Sequence, residues 1–148
     1  MSEKQHYALF SIKPSESQKK AIEYVRKFCE ENFGKSLDFV KVNIIRKGGR
    51  LHKIIEKSLG KGPLWGALLG LEIYLFQSKR RELYIDVLFE EFVHVCRPEL
   101  SEDEAQGLIE RLLQELIKYL RTNHALYGCF SPWARDVLNE TEPCEHSP

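Results

Sequence analysis

Cationic side chains and glycines are concentrated in one short segment of the sequence. The pair Gly48-Gly49 and the segment Gly60-Lys61-Gly62 flank a run that is rich in Arg, Lys and His. Backbone N–H groups in glycine turns bind anions, and neighbouring cations strengthen that binding. Neither glycine segment matches GxxxxGK[ST] or GxGxxG, so the pattern does not indicate a nucleotide site. It predicts a binding site whose contact residues are Arg46, Lys47, Arg50, His52, Lys53, Lys57 and Lys61.

Thiols and imidazoles lie near each other at three places: His94 with Cys96, His124 with Cys129, and Cys144 with His146. None of these spacings is typical of a zinc site, which needs further donors at set intervals along the chain. No motif such as GxSxG marks a nucleophile beside them. The expectation is therefore free thiols, no metal, no cofactor and no catalytic residue.

Carboxylates are paired at Glu90-Glu91 and at Asp86 with Glu90. General acid–base catalysis would require one member of a pair to be partly buried, with a shifted pKa. Nothing in the sequence indicates such burial, and a solvated face is the simpler interpretation. A binding protein is therefore favoured over an enzyme.

The charges are segregated along the sequence, although the formal net charge of the chain is zero. From Lys35 to Lys61 eight bases and two acids give +6, and from Glu82 to Glu115 two bases and ten acids give −8. A field of this shape can steer a charged partner or orient a dimer. The alternative is that the two regions neighbour each other in the fold and compensate locally.

Length and composition are those of one globular domain. Apolar residues make up 43% and charged residues 30% of the 148 residues, which is enough for a core and a hydrated surface. We predict a single domain over 1–139 and a disordered tail over 140–148. The longest apolar stretch, Pro63 to Phe76, is shorter than the roughly 20 residues of a membrane span, so no membrane contact is expected. The N-terminus lacks a signal-peptide pattern and the cysteines are scattered, which favours the reducing cytoplasm.

Hydrophobic periodicity predicts the elements that must position these residues. The first half of the chain has the pattern of a strand, a helix, a strand and a helix, over 6–12, 15–33, 39–45 and 50–59. Ser15 or Ser17 is the expected cap of the first helix, and Gly34 its end. A second long helix is predicted over 101–121, because it begins with the capping-box sequence Ser101-Glu-Asp-Glu104. A last strand over 125–130 is expected to follow.

Residues 71–89 allow two interpretations. Alternating apolar residues on both sides of the polar run 77–80 predict an antiparallel hairpin. That run lacks the glycine typical of hairpin turns. If the segment is helical, Glu82, Asp86 and Glu90 form a polar stripe at i, i+4 instead.

The predicted fold class is α+β, with an antiparallel sheet of about four strands and two long helices, 15–33 and 101–121, packed on it. An all-α bundle is the alternative. Leu51–Phe76, together with Ser131-Pro132-Trp133, resembles the groove region of the B-cell-lymphoma family of apoptosis regulators, most closely at Trp65-Gly66. Ala67 stands where that family has Arg, so we do not assign the chain to it. The resemblance implies an all-helical fold.

The predicted function is that of a small non-catalytic protein-binding domain of the inhibitor, immunity-protein or adaptor type. The partner is expected to be another protein or a second copy of the chain. The alternative is a phosphate- or nucleic-acid-binding protein that uses the basic segment 46–61. Aromatic side chains contribute strongly to interface energy, which adds five candidate contacts: Trp65, Tyr74, Tyr84, Tyr127 and Trp133.

Overall fold

The computed structural model of the chain describes residues 12–60, 62, 64–77 and 84–120. In chain order these residues form α1 (Glu16–Phe33), β1 (Lys41–Arg46), α2 (Arg50–Leu59), β2 (Gly66–Leu69), β3 (Glu72–Gln77), α3 (Ile85–Cys96) and α4 (Glu102–Leu120). The fold is therefore α+β. The all-α alternative is wrong, and the Trp65-Gly66 pair that resembles the apoptosis regulators lies where β2 begins.

The sheet has the strand order β1-β3-β2 and is mixed. β1 and β3 run parallel, from Lys41 opposite Glu72 to Arg46 opposite Gln77, whereas β2 is antiparallel to β3. The predicted antiparallel sheet of about four strands is therefore wrong for the described residues. The parallel pairing is possible because α2 and β2 return the chain to the same end of the sheet before β3 begins. The two long helices are present, but α2 and α3 accompany them.

The hairpin lies earlier in the chain than the sequence pattern predicts. β2 and β3 are joined by Gly70-Leu71, and Gly70 has φ 65°, so the real turn contains the glycine that 77–80 lacks. Within the second half of the predicted hairpin, Ile85 to Phe89 belong instead to α3. α3 packs against α1, α4 and the sheet, so apolar residues occur on most of its sides. This burial obscures the helical period and leaves an alternation like that of a strand.

Helices cover both faces of the sheet. On one face Ile73 and Leu75 of β3 pack with α1, α3 and α4 in the larger core cluster. On the other face Tyr74 and Phe76 pack with Ile55 of α2 in a smaller cluster. The basic helix α2 and the acid-rich helices α3 and α4 therefore lie on opposite faces of the sheet. For the cations of α2, the charge segregation of the sequence is a separation in space, whereas Lys35 of the basic run donates to the Cys96 carbonyl at the end of α3.

The ends of the long helices follow the sequence rules. Ser15 caps α1 in a capping box with Gln18, and Gly34 ends it with φ 64°, a left-handed conformation that glycine adopts without strain. Before α4, the Ser101 N–H donates to Glu104 at 3.0 Å, and the Glu104 N–H donates to the Ser101 hydroxyl at 3.1 Å. Both predicted caps are confirmed, with Ser15 rather than Ser17 at the start of α1.

Several predictions fall on residues outside the described ranges. They concern most of the strand over 6–12, the strand over 125–130 and the tail over 140–148. Ile12 is described, and it forms an isolated bridge with Ile44 at the outer edge of β1. No helix in the described part of the chain has the length and apolar composition that crossing a membrane requires.

Phe89 tests the packing of the larger cluster. Its side chain is fully buried, and its ring meets the Phe28 ring edge-on at a centroid distance of 5.6 Å. We expect Phe89→Ala to lower the free energy of unfolding by about 3–5 kcal/mol, because it leaves a cavity between α1 and α3. Urea unfolding followed by circular dichroism measures this loss.

The matched control is Phe39→Ala, because 54% of Phe39 is exposed. This variant should change the free energy of unfolding by less than about 0.5 kcal/mol. Equal losses for the two variants would contradict the core described above.

Candidate functional site

The basic helix α2 is attached to the sheet by a buried histidine. His52 is 3% exposed, and its ring stacks on Phe76 of β3 at a centroid distance of 4.0 Å. The Gly48 N–H donates to His52 Nδ1 at 2.8 Å. Because Nδ1 accepts, the neutral ring carries its proton on Nε2, which donates to the Leu64 carbonyl at 2.9 Å. His52 therefore has a structural position and faces away from any surface ligand.

The single acid of α2 is also turned towards the protein. Glu56 Oε2 accepts from the Leu64 N–H at 2.7 Å and lies 3.3 Å from His52 Nε2. These contacts fix the chain between α2 and β2. They also leave the outer side of α2 without a carboxylate.

The outer side of α2 carries three cations around an exposed isoleucine. At about 100° per residue, Arg50, Lys53, Ile54 and Lys57 fall within one arc of the helix, and all four are exposed. Arg46, at the end of β1, is exposed next to this helix in the chain. We call Arg50, Lys53, Ile54 and Lys57, together with Arg46, the α2 basic face. None of its four cations forms an ion pair with another described residue.

The first turn of α2 is unfavourable to the cations that it carries. Its N-cap is Gly49, which offers no side-chain hydrogen bond, and the first turn contains no acid. Cations near a helix N-terminus meet the positive end of the helix dipole, an effect of about 0.3–1 kcal/mol for an exposed group. Arg50 occupies the first helical position and Lys53 the fourth. The helix dipole therefore does not explain why these positions carry cations.

The remaining predicted contact residues have different environments. The Lys47 ammonium lies 3.5 Å from the centroid of the Trp65 ring, and that ring packs on Tyr84 at 4.8 Å. These three side chains are partly buried. Tyr74 is fully buried and therefore cannot contact a partner. Lys61, Tyr127 and Trp133 lie outside the described residues.

The described cysteines are unsuited to nucleophilic chemistry. Cys29 and Cys96 are free and buried. Burial raises the pKa of both thiols, and the charges of neighbouring groups raise the pKa of Cys29 further. His94 and Cys96 are two residues apart on a helix, not on a strand, and so point to different sides of α3. The pairs at 124–129 and 144–146 lie outside the described ranges.

A second group of polar residues gathers where α3 ends and α4 begins. His94 Nε2 lies 3.9 Å from a carboxylate oxygen of Glu90 and 3.9 Å from one of Glu102. A pocket of about 480 Å³ opens beside them, between the edge strand β2 and the α3–α4 junction. It is lined by Leu59, Leu64, Gly66, Leu68, Glu91, His94, Pro98 and Glu102.

Sequence reasoning missed this group because it considered His94 only together with Cys96, its neighbour in the sequence. The useful signal was the i, i+4 spacing of Glu90 and His94, which places both on one side of a helix. The third member, Glu102, comes from the next helix and only the fold brings it near. Asp86 and Glu91, expected on a solvated face, are buried.

The carboxylates around His94 change its acidity. The Glu90 carboxylate, 3.9 Å from Nε2, is the main cause that raises the pKa of His94 above its usual 6.5, and the negative charges of Glu91 and Glu102 act in the same direction. Burial opposes them by disfavouring the imidazolium. The site therefore favours a cation.

Comparisons of the chain with protein-family models, with curated proteins and with solved structures found no match.

The raised pKa of His94 predicts how its contribution to stability depends on pH. The folded state binds the imidazole proton more tightly than the unfolded state, so the stabilisation is complete below about pH 6.5 and declines as the pH rises through the folded pKa. We expect His94→Gln to destabilise the fold more at about pH 5.5 than at about pH 9. Urea unfolding in buffer containing EDTA measures both differences. A loss that grows with pH would contradict the raised pKa.

Proposed function

We propose that this chain is a non-catalytic protein-binding domain that binds an acidic segment of a partner protein on the α2 basic face. One observation carries the proposal: exposed Ile54 shares one side of α2 with three exposed cations, Arg46 precedes the helix, and none of the four cations has an ion pair to any described residue. The acid that belongs to the same helix is held on its inner side by Leu64 and His52. A partner carboxylate would meet cations whose charge is not already neutralised.

The exposed isoleucine favours a protein partner over a nucleic acid. Ile54 is 43% exposed within the arc of cations, so a partner that covers it gains apolar burial as well as charge contacts. From Arg50 to Lys57 the helix rises only about 10 Å, which suits a short acidic helix or loop. Nucleic-acid binding depends mainly on many phosphate contacts, and the neutral chain offers few.

Phosphate or nucleic acid is the second candidate, and a separate feature favours it. The N-terminus of α2 has a glycine cap without a side-chain hydrogen bond and stands beside Arg46 and Arg50. Free N–H groups at a helix N-terminus attract phosphate. A short phosphorylated or polyanionic ligand would therefore use the same surface, and the experiment below separates the two candidates.

The biological setting is part of the same proposal. An inhibitor, immunity-protein or adaptor role agrees with a small domain whose surface charge is unbalanced on one side. A second copy of the chain is a further partner of this kind, since the acid-rich helices lie on the opposite face of the sheet. The free thiols Cys29 and Cys96 support a reducing compartment such as the cytoplasm.

The test compares two triple variants that remove the same charge. Arg50, Lys53 and Lys57 are changed to Ala in one, and Lys19, Lys20 and Lys27, which are exposed on α1, in the other. Binding of a fluorescein-labelled peptide rich in Glu and Leu is measured by anisotropy at two salt concentrations. We expect the α2 variant to bind at least tenfold more weakly and the α1 variant to bind within about twofold of the unchanged protein.

A third variant, Ile54→Ser, distinguishes the two candidate functions. Loss of peptide affinity without loss of affinity for a single-stranded oligonucleotide or inorganic phosphate supports a protein partner. Tighter oligonucleotide binding that depends on the cations and ignores Ile54→Ser would replace the proposal with the second candidate. Equal binding by the two triple variants would contradict both. In a pull-down from the native source, the unchanged protein and the α1 variant should retain a stoichiometric partner, and the α2 variant should not.

A further inference from the structure

We propose that Glu90, His94 and Glu102 form a binding site for one divalent transition-metal ion such as Zn²⁺. The three side chains offer one imidazole nitrogen and two carboxylate oxygens, and these donor atoms all lie within 4.8 Å of one another. Imidazole and carboxylate are both ordinary ligands of zinc. This site is separate from the α2 basic face and does not depend on the function proposed for that face.

The backbone holds the three ligands in place. Glu90 and His94 are one turn apart on α3, which puts them on the same side of the helix. The connection to α4 is short and hydrogen-bonded, with the Arg97 N–H donating to the Val93 carbonyl at 2.8 Å. The capping box at Ser101 then fixes the backbone of the first turn of α4, where Glu102 stands.

The donor atoms would have to move closer together to bind a zinc ion, and the groups that would move are flexible side chains. In a tetrahedral zinc site with bonds of about 2.0–2.2 Å, neighbouring donor atoms are about 3.3 Å apart. His94 Nε2 is now 3.9 Å from each of the two carboxylates. The side chains of Glu90 and Glu102 are 35% and 70% exposed, so each can rotate inwards without displacing the core.

The surroundings favour a cation with an open coordination position. Glu91 is buried beside the site and adds to the negative field that acts on His94. His94 and Glu102 also line the pocket of about 480 Å³ against β2. Three protein ligands leave a zinc ion with a fourth position for water or an external ligand. A ligand that enters the pocket could reach that position, and an anionic group is the chemical class that a divalent cation would take.

The direct test is a titration of the full chain, stripped of metal with EDTA and desalted, with ZnCl₂ at about pH 7.5 in a calorimeter. We expect saturable binding of one ion. Glu102→Gln and His94→Gln should each weaken it at least tenfold, in line with the loss of one ligand. The matched control Asp103→Asn removes the neighbouring exposed acid of α4 and should leave the affinity within twofold. MgCl₂ should bind at least a hundredfold more weakly, because imidazole is a poor ligand for magnesium.

Two outcomes would overturn the proposal. One is the absence of saturable Zn²⁺ binding below millimolar concentration. The other is binding that neither Glu102→Gln nor His94→Gln weakens, which would place the ion on other donors of the chain, such as the His and Cys residues beyond 120. Glu102→Gln keeps the test decisive even where His94→Gln lowers stability, because Glu102 is an exposed residue at a helix start. Far-UV circular dichroism confirms that each titrated variant is folded.

Discussion

The fold depends on the burial of one strand on both faces. In β3 every residue from Ile73 to Gln77 is buried, and the side chains alternate between the two core clusters. A strand of this kind requires a covering layer on each side. Among the described elements, three helices lie on one side and α2 alone on the other, with Ile55, Tyr74 and Phe76 at the centre of the α2 contact. The position of the basic helix follows from this requirement: its apolar side must meet β3, and its opposite side must face solvent.

Hydrogen bonds between α2 and the chain on either side of it determine which charged side chains of the helix are exposed. His52 spans from the Gly48 N–H to the Leu64 carbonyl, and Glu56 accepts from the Leu64 N–H. These two side chains stabilise the turns on either side of α2 and lie on its inner side. The cations at 50, 53 and 57 are left on the outer side with Ile54. The same contacts that close the fold therefore create a surface whose positive charge is not neutralised within the described residues.

The sequence predicted local features better than long-range ones. Helix α2 was predicted with its observed limits, and the caps at Ser15, Gly34 and Ser101 were confirmed, because each depends on residues a few positions apart. The strand predicted before the polar run 77–80 is confirmed as β3, but residues 85–89 are helical. Because α3 is buried on most sides, its pattern carried no helical period. The parallel pairing of β1 with β3 and the approach of Glu102 to His94 depend on tertiary packing, which no local pattern encodes. The sequence shows the run of charge over 46–61, but the inward position of His52, one of the predicted contact residues, could not be foreseen.

The proposed function requires that the cations at the start of α2 contribute to binding rather than to the stability of the fold. Arg50 tests it most directly, because it occupies the first position of a helix whose dipole disfavours a cation there. The measurement is the free energy of unfolding of Arg50→Glu, from urea titration at low ionic strength. We expect a rise of about 0.3–1 kcal/mol, since an acid at this position interacts favourably with the helix dipole. A fall of similar size would show that Arg50 helps to hold the fold, and would contradict the claim.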